Sequence, residues 1–159
     1  MIFSGKLAAQ ETIQTNDNLA FYYDAELFQW NYGFFEGLTL NFKNQSSNPM
    51  FGINTRMKNA LVQYEDSNQQ YRVYHGKNIA GNILMWSGFT ATVTGMYMPL
   101  FLDLDYSEKN LKIVLGTVLG GFVTELVGIV ILHSGNENIF NAVNVYNRNK
   151  IKDYRLRKM

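Results

Sequence analysis

The side chains able to do chemistry are few, and their spacing assembles no reaction centre. His75 and His133 are the only histidines, far apart in the chain, and make no helical His pair for a metal. His133 reads instead as a cap at the end of an apolar helix. Asp103-Leu104-Asp105-Tyr106-Ser107 begins like a calcium loop, but Glu108 stands where the turn glycine belongs and Val114 where the bidentate acid belongs. Gly116–Gly121 lacks the lysine of a phosphate-binding loop and lies inside an apolar run. Asn44-Gln45-Ser46 fits a glycosylation acceptor, a pattern that arises often by chance. With no cysteines there is no thiolate chemistry and no disulfide. This inventory predicts no catalytic residue, no metal site, no cofactor and no enzyme.

Glu125 is the one titratable group whose position is unusual. It is the only charge in Ile113–Leu132. An acid at the centre of a membrane helix costs roughly 2.5–3.5 kcal/mol, so it is expected to face protein or water. Gly121 and Gly128 bracket it at i−4 and i+3, which aims it at a helix interface. Two roles are open: a proton- or ion-coupling carboxyl, or an acid hydrogen-bonded to Asn82, Thr90, Thr92 or Thr94 of a partner helix.

The elements that would position Glu125 are two apolar stretches. Asn78–Leu102 is 25 residues without a charge, and Ile113–Leu132 is 20 residues with one. Each is long enough as a helix to cross a hydrocarbon core of roughly 30 Å. The ten-residue link Asp103–Lys112 is too short for a domain, so the helices are expected to run antiparallel as a transmembrane hairpin. The first stretch is the weaker one, with Asn82, four Ser or Thr and Pro99 inside it. Lipid tails are as apolar as leucine, so helices in a bilayer associate where small residues let backbones approach. Gly116, Gly120, Thr124 and Gly128 recur every four residues, as do Ser87, Ala91 and Gly95, and these seven are the expected packing residues. Gly81, Gly88 and Gly95 also repeat every seven.

Composition changes along the chain. Residues 1–77 carry six basic and seven acidic side chains, and 148–158 carries six basic residues against Asp153. Net charge is +1, so no bulk field recruits nucleic acid. Ten Tyr and eleven Phe concentrate before residue 75. Residues 1–52 read as an aromatic-rich head, with Leu19–Glu26 and Phe35–Phe42 strand-like and Gly33 and Gly37 between them, giving a β-hairpin or three-stranded meander. Residues 53–77 read as an amphipathic helix capped by Asn54 or Thr55, with Met57, Leu61, Tyr64, Asn68, Tyr71 and His75 on one seam and Gly76 as its only interruption. Ser134-Gly135-Asn136 reads as a break. Residues 136–159 then form an interfacial helix and basic tail, with Tyr146 at headgroup level and Arg148, Lys150, Lys152, Arg155, Arg157 and Lys158 on anionic lipid.

Positive residues flank both apolar stretches on the terminal sides, which favours a multi-pass protein with both termini in the cytoplasm. The Gly-rich pair followed by Ala142-Val143-Asn144-Val145-Tyr146-Asn147 resembles small uncharacterised bacterial membrane-hairpin proteins that carry an Ala-Val-x-x-Tyr-Asn segment after the second helix. The Asn48-Pro49 turn before a polar helix is similar too. That resemblance covers roughly residues 48–150 and implies membrane placement, with no activity attached.

The expected fold is therefore a membrane α-helical hairpin of two antiparallel transmembrane helices, 78–102 and 113–132, joined by the 103–112 link and carrying a small N-terminal α+β head. The expected function is a non-enzymatic accessory or assembly subunit of a larger membrane complex. Its partners would be other membrane subunits or copies of itself, and Phe21, Tyr22, Phe28, Trp30, Phe34 and Phe35 are the candidate partner-binding aromatics. Two further readings are a self-associating pore or ion path centred on Glu125, and a soluble α+β domain with both apolar stretches as core.

Overall fold

A computed structural model describes residues 26–33, 37–101 and 107–157. Strands β1 (Gln29–Gly33), β2 (Gly37–Phe42) and β3 (Gln45–Ser47) form an antiparallel sheet in the order β1-β2-β3. Trp30 pairs with Leu40 and Phe42 with Gln45. The β2–β3 turn has only two residues, Lys43 and Asn44, both with positive φ (48° and 60°). That backbone twist matches the twist of the flanking strands, and Asn tolerates it well. Alternation along β2 sends Leu40 and Phe42 inward, where both are buried.

Three helices follow: α1 (Thr55–Leu61), α2 (Glu65–Phe101) and α3 (Glu108–Leu156). Asn54 caps α1, its side-chain oxygen accepting from Met57 N at 2.9 Å, and Ser107 caps α3 by accepting from Asn110 N. Helix α2 passes Gly76 without a break. Helix α3 likewise runs through Ser134-Gly135-Asn136, where a break was expected. Gly135 is buried there, and a Cβ on it would meet Lys77 Cβ at 3.4 Å and the Tyr74 ring at 3.7 Å, which is ordinary contact.

The core joins the sheet, α1 and the facing ends of α2 and α3. Phe28, Leu40, Phe42, Met57, Leu61, Tyr71, Tyr74, Ile139, Ala142, Val143 and Tyr146 are buried together. Phe28 stacks on Phe42 at 4.3 Å, and the Tyr146 ring meets both edge-on at 5.0 and 6.0 Å. These offset and T-shaped contacts suit the ring quadrupoles. Polar clamps lock the same region. Asn147 treats Phe28 as a strand neighbour would, accepting from its N–H and donating to its C=O, both at 2.9 Å. Buried Ser67 donates to Ala142 O at 2.9 Å, and Tyr64 donates to Asp153 at 2.5 Å.

The two-span hairpin expected from sequence does not hold. Among the described helices only α3 contains an 18-residue window apolar enough to cross a membrane. The apolar part of α2 is diluted by Asn82, Ser87, Thr90, Thr92, Thr94 and its glycines, and no comparable window remains. The fold is a three-stranded sheet followed by one long mixed helix and one 49-residue apolar helix packed along it.

Candidate membrane-contact surface

Beyond the core, α2 and α3 continue together, and their contact is made of glycine. Gly81 faces Gly128 and Leu132, Gly88 faces Gly121 and Glu125, and Gly95 faces Thr117 and Val118, so the helices run antiparallel. A Cβ on Gly88 would lie 2.3 Å from Glu125 N, one on Gly121 2.6 Å from Thr92 N, and one on Gly128 2.3 Å from Met85 N. Each neighbour is backbone, which cannot swing aside, so the absence of a side chain is what allows this separation. The rows Gly81, Gly88, Gly95 and Gly121, Gly128, Gly135 both step by seven.

The four-residue rows do not coincide with this face. Gly95 and Gly128 lie in the contact, whereas Gly116 and Gly120 have open space where a Cβ would be, and Ser87 is exposed. Ala91 and Thr124 are half-buried. A four-residue step turns about 40° around a helix, so such a row leaves the contact within two or three steps. A seven-residue step drifts only about 20° and stays in it. The matching period on both helices was the signal that identifies Gly121 and Gly135.

From Ile79 to Phe101 on α2 and from Glu108 to Ile131 on α3, the only fully buried residues are the glycines at 81, 88, 95, 121 and 128. Most of the large apolar side chains are exposed, while Leu84, Met85, Val93, Met98, Val114, Val118 and Ile131 are half-buried. The exposed ones include Ile83, Trp86, Met96, Phe101, Leu119, Val123 and Val130, ranging from 55 % to 82 % exposed. Only 11 % of the span-length window in α3 is buried. A core helix of a water-soluble protein has the opposite arrangement.

Glu125 sits half-buried at this seam beside Gly88. The Thr90 and Thr92 hydroxyls donate to the carbonyls of Trp86 and Gly88, within their own helix. Asn82 donates to Asn78 O and to Met50 O. The donor hydrogens of those three candidate partners are therefore committed elsewhere.

The proximal end carries the polar chemistry. Lys77 donates to Ser134 O at 3.2 Å and to Asn138 at 2.9 Å, and Asn138 donates to Gln70 at 3.0 Å. Glu26 lies 2.8 Å from Lys43 and 3.6 Å from Lys150. Burial pushes the Glu26 carboxyl up, but the two lysines outweigh it and hold the group below its usual value. Burial, with Tyr71 adjacent, pushes the Tyr74 phenol far above its ordinary range. A groove between α2 and α3 is lined by Asp66, Gln69, Gln70, Asn141, Asn144 and Arg148, which supply no nucleophile–base pair. Among the described residues no cluster of His, Asp and Glu suits a metal.

Several sequence-derived assignments move. Tyr146 is 1 % exposed in the core, so it does not stand at headgroup level. The apolar face of α3 that holds Ile139 and Val143 carries it inward. Lys150 is half-buried against Glu26 and the Tyr146 ring, while Arg148, Lys152, Arg155 and Arg157 are exposed. Phe28 is core, unavailable to a partner, and half-buried Trp30 stacks on Phe140 at 5.0 Å. Phe21, Tyr22, Phe34, Phe35 and Lys158 lie outside the described residues, as do Leu19–Ala25 of the first strand expected. His75 is exposed and stacks on Tyr71, and His133 ends no helix, because α3 continues past it for more than twenty residues. No protein-family model, curated protein or solved structure matches the chain.

Proposed function

We propose that this chain is a membrane-associated, non-enzymatic accessory or assembly subunit. The apolar half of α3 inserts into the bilayer with α2 packed along its flank, and the sheet-bearing end forms a platform in water for other subunits. One observation supports this reading: in the distal half the fully buried residues are glycines, and most of the large apolar side chains are exposed. In water that arrangement would forfeit roughly 1.5–3 kcal/mol for each large side chain left exposed. In lipid the same side chains are solvated, and close glycine contact is what holds helices together.

Exposed Arg148, Lys152 and Arg155 lie 16 to 23 residues beyond Leu132 on the same unbroken helix, roughly 24–35 Å from the apolar segment, so with α3 inserted they belong to the water-side platform and not to the headgroup surface. The competing reading, a water-soluble α+β domain, requires a partner that covers the distal surface. Extraction of membranes with alkaline carbonate separates the two. Retention of the chain in the pellet is the expected result, and release into the supernatant refutes membrane insertion.

A further inference from the structure

The turn between β3 and α1 is built unlike an ordinary surface loop. Pro49 O accepts from the Tyr74 hydroxyl at 2.6 Å and from Asn78 Nδ2 at 3.1 Å. Met50 O accepts from Asn78 Nδ2 at 2.9 Å and from Asn82 Nδ2 at 3.2 Å. On the donor side, Met50 N–H goes to Asn48 Oδ1 at 2.9 Å and Phe51 N–H to Asn48 O at 3.1 Å, while Pro49 has no N–H to satisfy. Gly52, at φ +113°, takes a backbone conformation that other residues rarely adopt, and a Cβ on it would lie 3.8 Å from Asn78 Oδ1. The outcome is a rigid turn pinned to α2 with Phe51 65 % exposed at its tip.

In water these carbonyls would need no such attention, since solvent satisfies a surface turn. Non-helical backbone at membrane depth is tolerated only where protein takes over that role. The location agrees. Asn78 and Asn82 lie where the buried core gives way to the outward-facing apolar surface, and Ile79 and Ile83 beside them are 47 % and 63 % exposed. No charged residue occurs between Lys43 and Arg56, and Pro49–Ile53 carries no polar side chain, so the turn itself does not resist low-dielectric surroundings.

We propose that the Pro49–Ile53 turn is a second lipid contact, with Phe51 entering the boundary between headgroups and acyl chains and setting the depth of α3. The proposal rests on the membrane reading above and adds an anchor from the head. Its ligand is phospholipid, recognised by apolar contact at the interfacial level where aromatic residues concentrate.

The natural absence of cysteine gives a direct test. The variants Phe51→Cys, Val123→Cys and Lys58→Cys are each labelled with a nitroxide and reconstituted in vesicles of phosphatidylcholine and phosphatidylglycerol. The accessibility of each label to oxygen and to a water-soluble nickel chelate is then measured. The expected result is a several-fold higher oxygen-to-nickel ratio at 51 than at 58, short of the ratio at 123. If 51 matches 58 while 123 is in lipid, the anchor is refuted and the membrane reading stands. If 123 itself behaves like 58, both fall. Far-UV circular dichroism matching the unlabelled chain shows that each variant is folded.

Discussion

Replacing Gly88 or Gly128 by alanine puts a methyl group 2.3 Å from a backbone nitrogen of the opposite helix. Ordinary contact begins near 3.4 Å, so the helices must part by about 1 Å at that point. Because the contact is continuous from Gly81 to Gly95, parting at one site also loosens its neighbours. Overpacking of this kind costs about 1–3 kcal/mol. Alanine also recovers about 1 kcal/mol of helix propensity relative to glycine, which obscures the raw change. Gly116 and Gly120 remove that ambiguity: they are helical, on α3 with Gly128, and have no atom within 4 Å of a Cβ, so their alanine variants report propensity alone. The difference between Gly128→Ala and Gly116→Ala, on one helix, should be about 1–3 kcal/mol of destabilisation, and Gly88→Ala should fall in the same range. Gly88→Ala with Gly128→Ala should be less than additive, since one separation relieves both clashes. The assay is chemical unfolding in mild detergent followed by Trp86 fluorescence, in a Trp30→Phe background. If alanine at 88 and 128 is as stable as alanine at 116 and 120, the glycine seam is not the contact that holds α2 to α3.

Three other outcomes are expected. Asn147→Ala removes both bonds to the Phe28 backbone and should cost about 1–3 kcal/mol in thermal or chemical unfolding, with Asn144→Ala, on an exposed face, nearly neutral. Glu26 is held below its usual value in the folded chain, so it contributes stability above its unfolded value, near pH ~4.3. That stability is lost as pH falls through the folded value. Stability measured from pH 6 down to pH 3 should therefore fall less steeply for Glu26→Gln than for the parent, and an unchanged slope counts against the ion pairs. Glu125→Gln should leave helix pairing and vesicle permeability unchanged, because the carboxyl lies at a packed seam; an ion leak in the parent chain that the substitution abolishes would instead support a pore.

How far the fold was legible in the sequence depends on what each signal could report. Alternation at Leu38-Thr39-Leu40-Asn41-Phe42 and the Asn54 cap act locally, and both appear where the sequence put them. Glycine is ambiguous by nature, because it marks breaks and close approach alike. Gly76 and Gly135 sit inside unbroken helices, Gly135 against Tyr74 and Lys77. The packing face was misread for a related reason. A four-residue row is conspicuous in a sequence, but a contact that stays on one face over long helices follows a seven-residue period. Tyr146 and Phe28 illustrate a third limit. Aromatic side chains suit interfaces and cores equally, and only the tertiary arrangement, with Asn147 joining α3 to the residue before β1, decides between them. Side-chain clamps between distant residues, such as Ser67 to Ala142 or Asn78 to Met50, leave no periodic trace at all.

Membrane association rests on the outward-facing apolar surface of α3 being surrounded by lipid. Sedimentation of the purified full-length chain with and without a bilayer or detergent tests it most directly. Aggregation in plain buffer, and a single dispersed species once amphiphile is present, is the expected behaviour. A monodisperse chain in plain buffer would mean that this surface tolerates water, and the membrane role would have to be abandoned.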